Sequence, residues 1–281
     1  MAMHIDLALE AIGPDHTRLP NGVSFEERNE NGISVTRIRI DDKADATSIG
    51  KEPGLYTTVT VSPFHRITSD YEAEAMAIGK EIAGMLPEGD VLVVGLGNAS
   101  ITPDALGPAV TKLIFTTRHL QEIFAQMDGM PSLRRVSAIA PGVLGQTGVE
   151  SAEIVHALVK EIKPNAVIVI DALASRELSR LGTTVQISDS GIAPGSGVGN
   201  HRQALDSRSL GIPVIAVGVP TVIDIRLTAP ATPLAEDQSQ MLVTPREIDS
   251  LIQNAAKALS YGLNLALQPN LSLAELIALV S

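Results

Sequence analysis

The stretch Val91-Leu-Val-Val-Gly-Leu-Gly-Asn-Ala-Ser-Ile-Thr-Pro-Asp104-Ala-Leu-Gly107 decides the fold of this chain. Its first residues are a short, continuous, β-branched apolar run, the pattern of a strand covered on both faces. A glycine-rich turn follows, and Thr102-Pro103-Asp104 reads as a helix start with a first-position proline and an acid beside the helix dipole. Apolar runs of the same kind recur at 136–140, 166–170 and 214–219. Strand, loop and helix in repetition specify an α/β fold of three layers, with a mostly parallel central sheet flanked by helices.

Working outward, the N-terminal part reads as β-rich. Ile33-Ser-Val-Thr-Arg-Ile-Arg-Ile40 alternates at period two behind an Asn31-Gly32 turn, and Tyr56-Thr-Thr-Val-Thr-Val61 runs into Pro63. Residues 18–65 are therefore expected to be a β-rich elaboration of a single domain spanning 1–281. A helix is expected from Ser69, boxed by Glu72, to about Leu86. Others are expected near 103–113, at 148–162 with Thr147 to Glu150 as its cap, from Thr244-Pro245, and from Ser272 with Glu275. Thr184 to Gly199, dense in glycine and small hydroxyls, reads as a loop, either wrapped around a bound chain or a plain connection. Thr228 to Gln240 reads as a surface loop.

Composition removes several classes. A net charge of −11 with 2% aromatics and no Trp supplies neither a basic face nor stacking rings, which excludes direct nucleic-acid binding. The absence of Cys excludes disulfides, thiolate metal sites and Cys nucleophiles. No apolar run is long enough to span a bilayer and no secretory leader is legible, so a cytoplasmic protein without membrane partners is expected.

Two carboxylates stand out. Asp104 follows the first apolar run, and Asp171 directly ends Ala166-Val-Ile-Val-Ile170. The C-terminal ends of strands in an open α/β sheet are where ligands meet chemistry. An acid placed there is costly to bury unless it is paired or liganded. Asp104 alone is also explained as a helix-start acid. If the two lie together, like-charge coupling leaves one protonated and one ionised, the pair needed to activate water and protonate a leaving nitrogen. Gly95-Leu-Gly97 lacks the third glycine of a dinucleotide fingerprint, Ser100 standing in its place, so a tight strand-to-helix turn is the better reading than phosphate binding. Ser190 and Ser196 lie on no nucleophile elbow, and the six His residues form no close metal-binding pair. Arg118-His119 reads either as a surface pair or as a cationic pair facing the site.

These segments also resemble a known family. Val94 to Pro108, Thr117-Arg-His-Leu120, Val136 to Gly148, Ile170-Asp-Ala-Leu-Ala174, Gln186-Ile-Ser-Asp-Ser-Gly191, Pro194 to Asn200 and Leu242-Val-Thr-Pro-Arg-Glu-Ile-Asp249 are similar, in order, to the germination protease of spore-forming bacteria. The resemblance implies the fold of hydrogenase-maturation peptidases, a homotetramer, and a location in the forespore or spore core. It implies an endopeptidase acting on small acid-soluble spore proteins, with Asp104 and Asp171 as the catalytic acids. Cleavage is expected after an acidic residue and before an apolar one that precedes Ala.

Arg118, His119, Arg202, Ser188 and Asp189 are the expected substrate-binding residues. The resemblance also implies a self-processing zymogen, and Asp6-Leu7-Ala8 fits the cleavage pattern, which makes residues 1–6 a short prosegment. Related maturation peptidases add a His in a third loop to hold a metal. The matching Ala193-Pro-Gly-Ser-Gly has no His, and His201 follows only later, so no metal or other cofactor is expected. A metallopeptidase using the same acids, and a non-catalytic nucleotide- or peptide-binding module, are the rival readings. Relatives often carry a long insert before Val243-Thr-Pro, where this chain has only 228–240.

Overall fold

A computed structural model of the chain describes residues 6–13, 19–41, 49–66, 71–120, 132–193, 203–224 and 242–280. Helix α1 (Ala8–Ile12) precedes strands β1 (Val23–Glu30), β2 (Ile33–Ile40) and β3 (Gly54–Thr60). Then come α2 (Tyr71–Ala83), β4 (Val91–Gly95), α3 (Leu106–Thr111), β5 (Val136–Ile139), α4 (Leu144–Thr147) and α5 (Ser151–Ile162). The chain continues through β6 (Ala166–Ser175), β7 (Thr184–Ser188), α6 (Ser207–Leu210), β8 (Val214–Asp224) and β9 (Leu242–Val243). It closes with α7 (Ile248–Leu267) and α8 (Leu273–Val280).

All the strands join one sheet in the order β1-β2-β3-β7-β8-β6-β4-β5, with β9 on β8. The β8-β6-β4-β5 half is parallel, as the continuous apolar runs require. Strand β7 and the N-terminal strands β3, β2 and β1 extend this parallel centre antiparallel, so the expected mostly parallel central sheet carries its β-rich elaboration on one edge. The N-terminal strands are a continuation of this sheet through β3 and β7, not a separate layer. The strand β7 is the element that the loop reading of 184–199 overlooks. Its residues are all buried, but Thr184, Gln186 and Ser188 alternate with Val185 and Ile187, and the polar set disguises a core strand.

The sheet separates two cores. Ile168, Ile170, Val185, Ile187, Val217 and Val219 face α2, α3 and α7, while Val167, Val169, Leu92 and Val94 face α5. A third, smaller cluster packs Ala8 against Ile38, Ile40 and Tyr56.

Several helix starts move relative to the sequence reading. Helix α5 is boxed by Glu150 and Glu153, with the Glu150 N–H donating to Glu153 Oε2 at 3.1 Å, while Thr147 ends the preceding turn. Helix α7 begins at Ile248, because the Thr244 hydroxyl instead donates to the Thr221 carbonyl at 2.9 Å. The Ser272 box is as expected, with Ser272 N–H on Glu275 Oε2 at 2.7 Å. Ser69 lies outside the described residues, as does Thr228 to Gln240.

The N-terminal hairpin is fastened to α2 by a buried ion pair. Glu81 is almost wholly enclosed and takes Arg28 of β1 on one oxygen and Arg37 of β2 on the other, the latter at 2.8 Å. Removing one partner of a buried pair leaves the other charges unpaired in low dielectric. Glu81→Ala is expected to lower unfolding free energy by about 3 kcal/mol, read from a urea midpoint. Glu30→Ala, at the exposed pair with Lys80, should leave that midpoint nearly unchanged.

Candidate active site

Strand β4 ends at Gly95, opposite Ile170 of β6, and the Leu96 N–H then caps the Ile170 carbonyl at 2.8 Å. Strand β6 runs on to Ser175. Asp171 is thus not past its strand, as the sequence suggests. It is the first residue of β6 beyond the reach of β4, and it is buried. The Ala172 N–H donates to its Oδ1 at 2.9 Å.

After Gly95 the chain turns through Gly97, whose φ of +111° suits glycine. Asp104 closes a single 3₁₀ turn, Thr102–Asp104, and helix α3 starts only at Leu106. Its Oδ2 accepts the Asn98 N–H at 2.8 Å, so this carboxylate serves the β4 turn rather than a helix terminus. The Thr221 hydroxyl of β8 donates to the Pro103 carbonyl at 2.7 Å, tying the turn across the strand ends. The two acids share one corner, at the C-terminal ends of neighbouring parallel strands.

A row of paired residues leads away from that corner. Asp171 lies opposite Gly218 of β8, Gly218 opposite Gln186 of β7, and Gln186 opposite Thr58 of β3. Paired residues share a sheet face, so Asp171 and Gln186 project from the same side about 10 Å apart, two strand spacings. Between them Gly218 offers no side chain, and Leu173 folds over it. A cleft of about 250 Å³ opens there, lined among others by Asp6, Lys51, Leu173, Gln186, Ser188 and Gly218.

The N-terminal segment enters this cleft. Asp6 Oδ2 accepts the Ala174 N–H at 2.9 Å, and the Asp6 carbonyl accepts the Lys51 ammonium at 2.6 Å. Leu7 and Ala8 are fully buried, and the Ala8 N–H donates to Gln186 Oε1 at 3.1 Å. Further on, Glu10 takes the Arg176 and Glu177 N–H groups, at 2.9 and 3.1 Å on its two oxygens. Burial raises the Glu10 carboxyl above its ordinary range, against the lowering by those N–H groups. Burial likewise pushes the Lys51 ammonium down to about 8, opposed by the charges of Asp6 and Glu10.

A sequence model of the germination protease family matches residues 8–237. The chain belongs to that family. It is 43% identical to a germination protease of Caldanaerobacter subterraneus subsp. tengcongensis, over 98% of this chain and 97% of the relative. It is 36% identical to one from Clostridium tetani, over 98% of each. A Bacillus cereus germination protease is 46% identical over 72% of this chain and 57% of its own length. Among solved structures, a [NiFe] hydrogenase maturation protease HycI from Thermococcus kodakarensis aligns with 17% identity and a TM-score of 0.36, over 65% of this chain and 98% of that one. The chain is a peptidase of the germination protease family.

For this peptidase the remaining expected site residues separate by position. Ser188 and Ser190 line the cleft, their hydroxyls 3.2 Å apart. Asp189 is committed to structure, with its Oδ1 accepting the Leu55 N–H at 2.7 Å. Arg118 and His119 form a short turn just after Thr117, whose N–H donates to the Val136 carbonyl at the start of β5. Because β4 and β5 are parallel, that is the opposite end of the strands from the acids, about 15 Å along the sheet. The structure does not bring Arg118 and His119 to the acids. Arg202, His201 and Ser196 lie outside the described residues.

Lys51, Gln186 and Gly218 went unrecognised in the sequence. Only Gly218 carried a signal there, as an isolated glycine inside a strand, a mark of close approach. Among the described residues there is no cluster of three or more His, Asp or Glu arranged to hold a metal, and no helix long and apolar enough to cross a membrane.

Proposed function

We propose that this peptidase is an aspartic-type endopeptidase that starts the breakdown of small acid-soluble spore proteins, and that it is made as a zymogen cutting itself between Asp6 and Leu7. In this reading Asp104 and Asp171 share one proton. The ionised acid takes a proton from water as it attacks the scissile carbonyl, and the protonated acid passes its proton to the leaving nitrogen.

The observation that carries this reading is the seating of Asp6-Leu7-Ala8. The acidic side chain rests on the β6 backbone three residues beyond Asp171, the apolar side chain is enclosed, and the Ala backbone is held by Gln186. Each feature of an acid–apolar–Ala sequence has a receptor in the cleft, which supports residues 6–8 as an internal substrate. The cation beside this residue is Lys51, whose ammonium meets the Asp6 carbonyl, while Arg118 and His119 stand at the far end of the strands.

Incubating the purified chain and sequencing its new N-terminus is the test. Leu7 is the expected first residue, and Asp6→Asn should slow its appearance. A terminus elsewhere, or none, counts against the reading.

A further inference from the structure

We propose that Lys51 is a catalytic residue of self-processing, the group that receives the oxyanion when the Asp6–Leu7 bond is hydrolysed. The inference rests on the reading that this bond is the one cut. Its own ground is a contact. The Lys51 ammonium sits 2.6 Å from the Asp6 carbonyl oxygen, which is the carbonyl of the Asp6–Leu7 bond.

The environment makes this contact more than a surface tether. Lys51 is half-buried in the wall of the cleft, with its ammonium 5.6 Å from the centre of the Tyr56 ring. A charged donor already aimed at an oxygen on which charge develops, and partly shielded from solvent, is worth more than the same donor in solution. The step balances without another reagent. The water oxygen adds to the Asp6 carbonyl carbon as one of its protons passes to the ionised aspartate, and the carbonyl π pair moves onto the oxygen facing Lys51. The tetrahedral species then reforms its C=O bond and expels the Leu7 nitrogen. That nitrogen takes up the proton held by the protonated aspartate of the acid pair. One water is consumed, and the products are the Asp6 carboxyl and the Leu7 amine.

The same surroundings give a signature that a merely structural lysine would lack. Lys51 is held near 8 rather than at its ordinary 10.5, so the alkaline loss of its charge falls within the range of assay. The groups facing it are the carboxylates of Asp6, Glu10 and Glu52, the Tyr56 phenol, and across the cleft Asp206 and Arg208. Burial pushes the Tyr56 phenol up to about 12, well above the range in which Lys51 loses its charge.

The experiment follows the appearance of the Leu7 terminus by mass spectrometry, from mildly acidic to alkaline pH. It compares the full-length chain with Lys51→Met and Lys51→Arg. In the parent, the rate is expected to fall as pH rises through about 8. Lys51→Met should slow processing by about 10²–10³-fold, the typical loss of one oxyanion donor. It should do so without destabilising the fold, since Met fills similar apolar volume and removes a buried charge. Lys51→Arg should recover part of the rate and lose the alkaline fall near 8, because a guanidinium keeps its charge.

An unchanged rate in Lys51→Met overturns the proposal, as does an alkaline fall that stays in place in Lys51→Arg. If Leu7 still appears at the parental rate in Lys51→Met but is lost in Asp171→Asn, only the role of Lys51 fails. If the parent chain never yields Leu7, the reading of the cleavage site fails with it.

Discussion

Asp171→Asn is expected to lower kcat for cleavage of a small acid-soluble spore protein by about 10³-fold or more, with KM little changed, and Asp104→Asn to do the same. The size follows from the loss of general acid–base chemistry, because an amide neither takes a proton from water nor gives one to the leaving nitrogen. The selectivity for kcat follows from the local bonds. The amide oxygen of Asn can still accept the Ala172 N–H at position 171 and the Asn98 N–H at position 104, so strand and turn keep their anchors. Unfolding midpoints of both variants should therefore stay close to the parent. The double variant should be little slower than either single one, since the two acids act as a unit. Near-normal turnover in either single variant would sink the acid pair. Loss of activity on chelation, restored by one added metal, would replace it with the metal-dependent mechanism.

A large effect on stability, equal to that of Glu81→Ala, is expected from Gly107→Ala. A β-carbon built there lies 2.3 Å from the Leu96 carbonyl oxygen and 2.5 Å from the Leu96 nitrogen. Both are backbone atoms at the end of β4, so no flexible side chain can swing aside. Helix α3 would have to lift from the strand, taking the buried Leu106 and Val110 with it. A cost of about 3 kcal/mol is expected, the upper range for overpacking. Activity should drop further than the remaining folded fraction explains, because Asp104 hangs on the turn that opens this helix. Gly145→Ala is the contrasting case. Nothing lies within 4 Å of an added β-carbon there, and the substitution should be neutral or slightly stabilising. Equal urea midpoints for the two variants would refute the close approach of α3 to β4.

Much of this arrangement was legible along the chain because it rests on local patterns. The β-branched runs at 91–95 and 166–170 announce covered parallel strands, and the second leads directly into Asp171, an acid out of place by composition alone, whereas Asp104 reads by itself as a helix-start acid. The family segments then connect both acids to peptide hydrolysis. Elements whose burial depends on distant partners were harder to read. The β7 run Thr184-Val-Gln-Ile-Ser188 looks like a polar loop until Gln186 is seen bonding Thr57, Ile187 and Ala8. The start of α5 was set one motif early, since a threonine before a helix signals a cap whether or not the backbone uses it.

The sequence by itself determined the layered α/β class and the two aspartates after apolar strands, because each depends on residue type and spacing within a few positions; Asp6-Leu7-Ala8 stands out only through the family resemblance. Tertiary structure alone decided which cation meets the N-terminal segment. Arg118 follows one core-facing helix and looked as well placed as any other cation, but parallel pairing of β4 and β5 sends it to the far end of the sheet. Lys51, in a segment without periodic pattern, is brought to the Asp6 carbonyl by the folding of the N-terminal chain into the cleft. That meeting spans 45 residues, and no local signal encodes it; strand order and burial do.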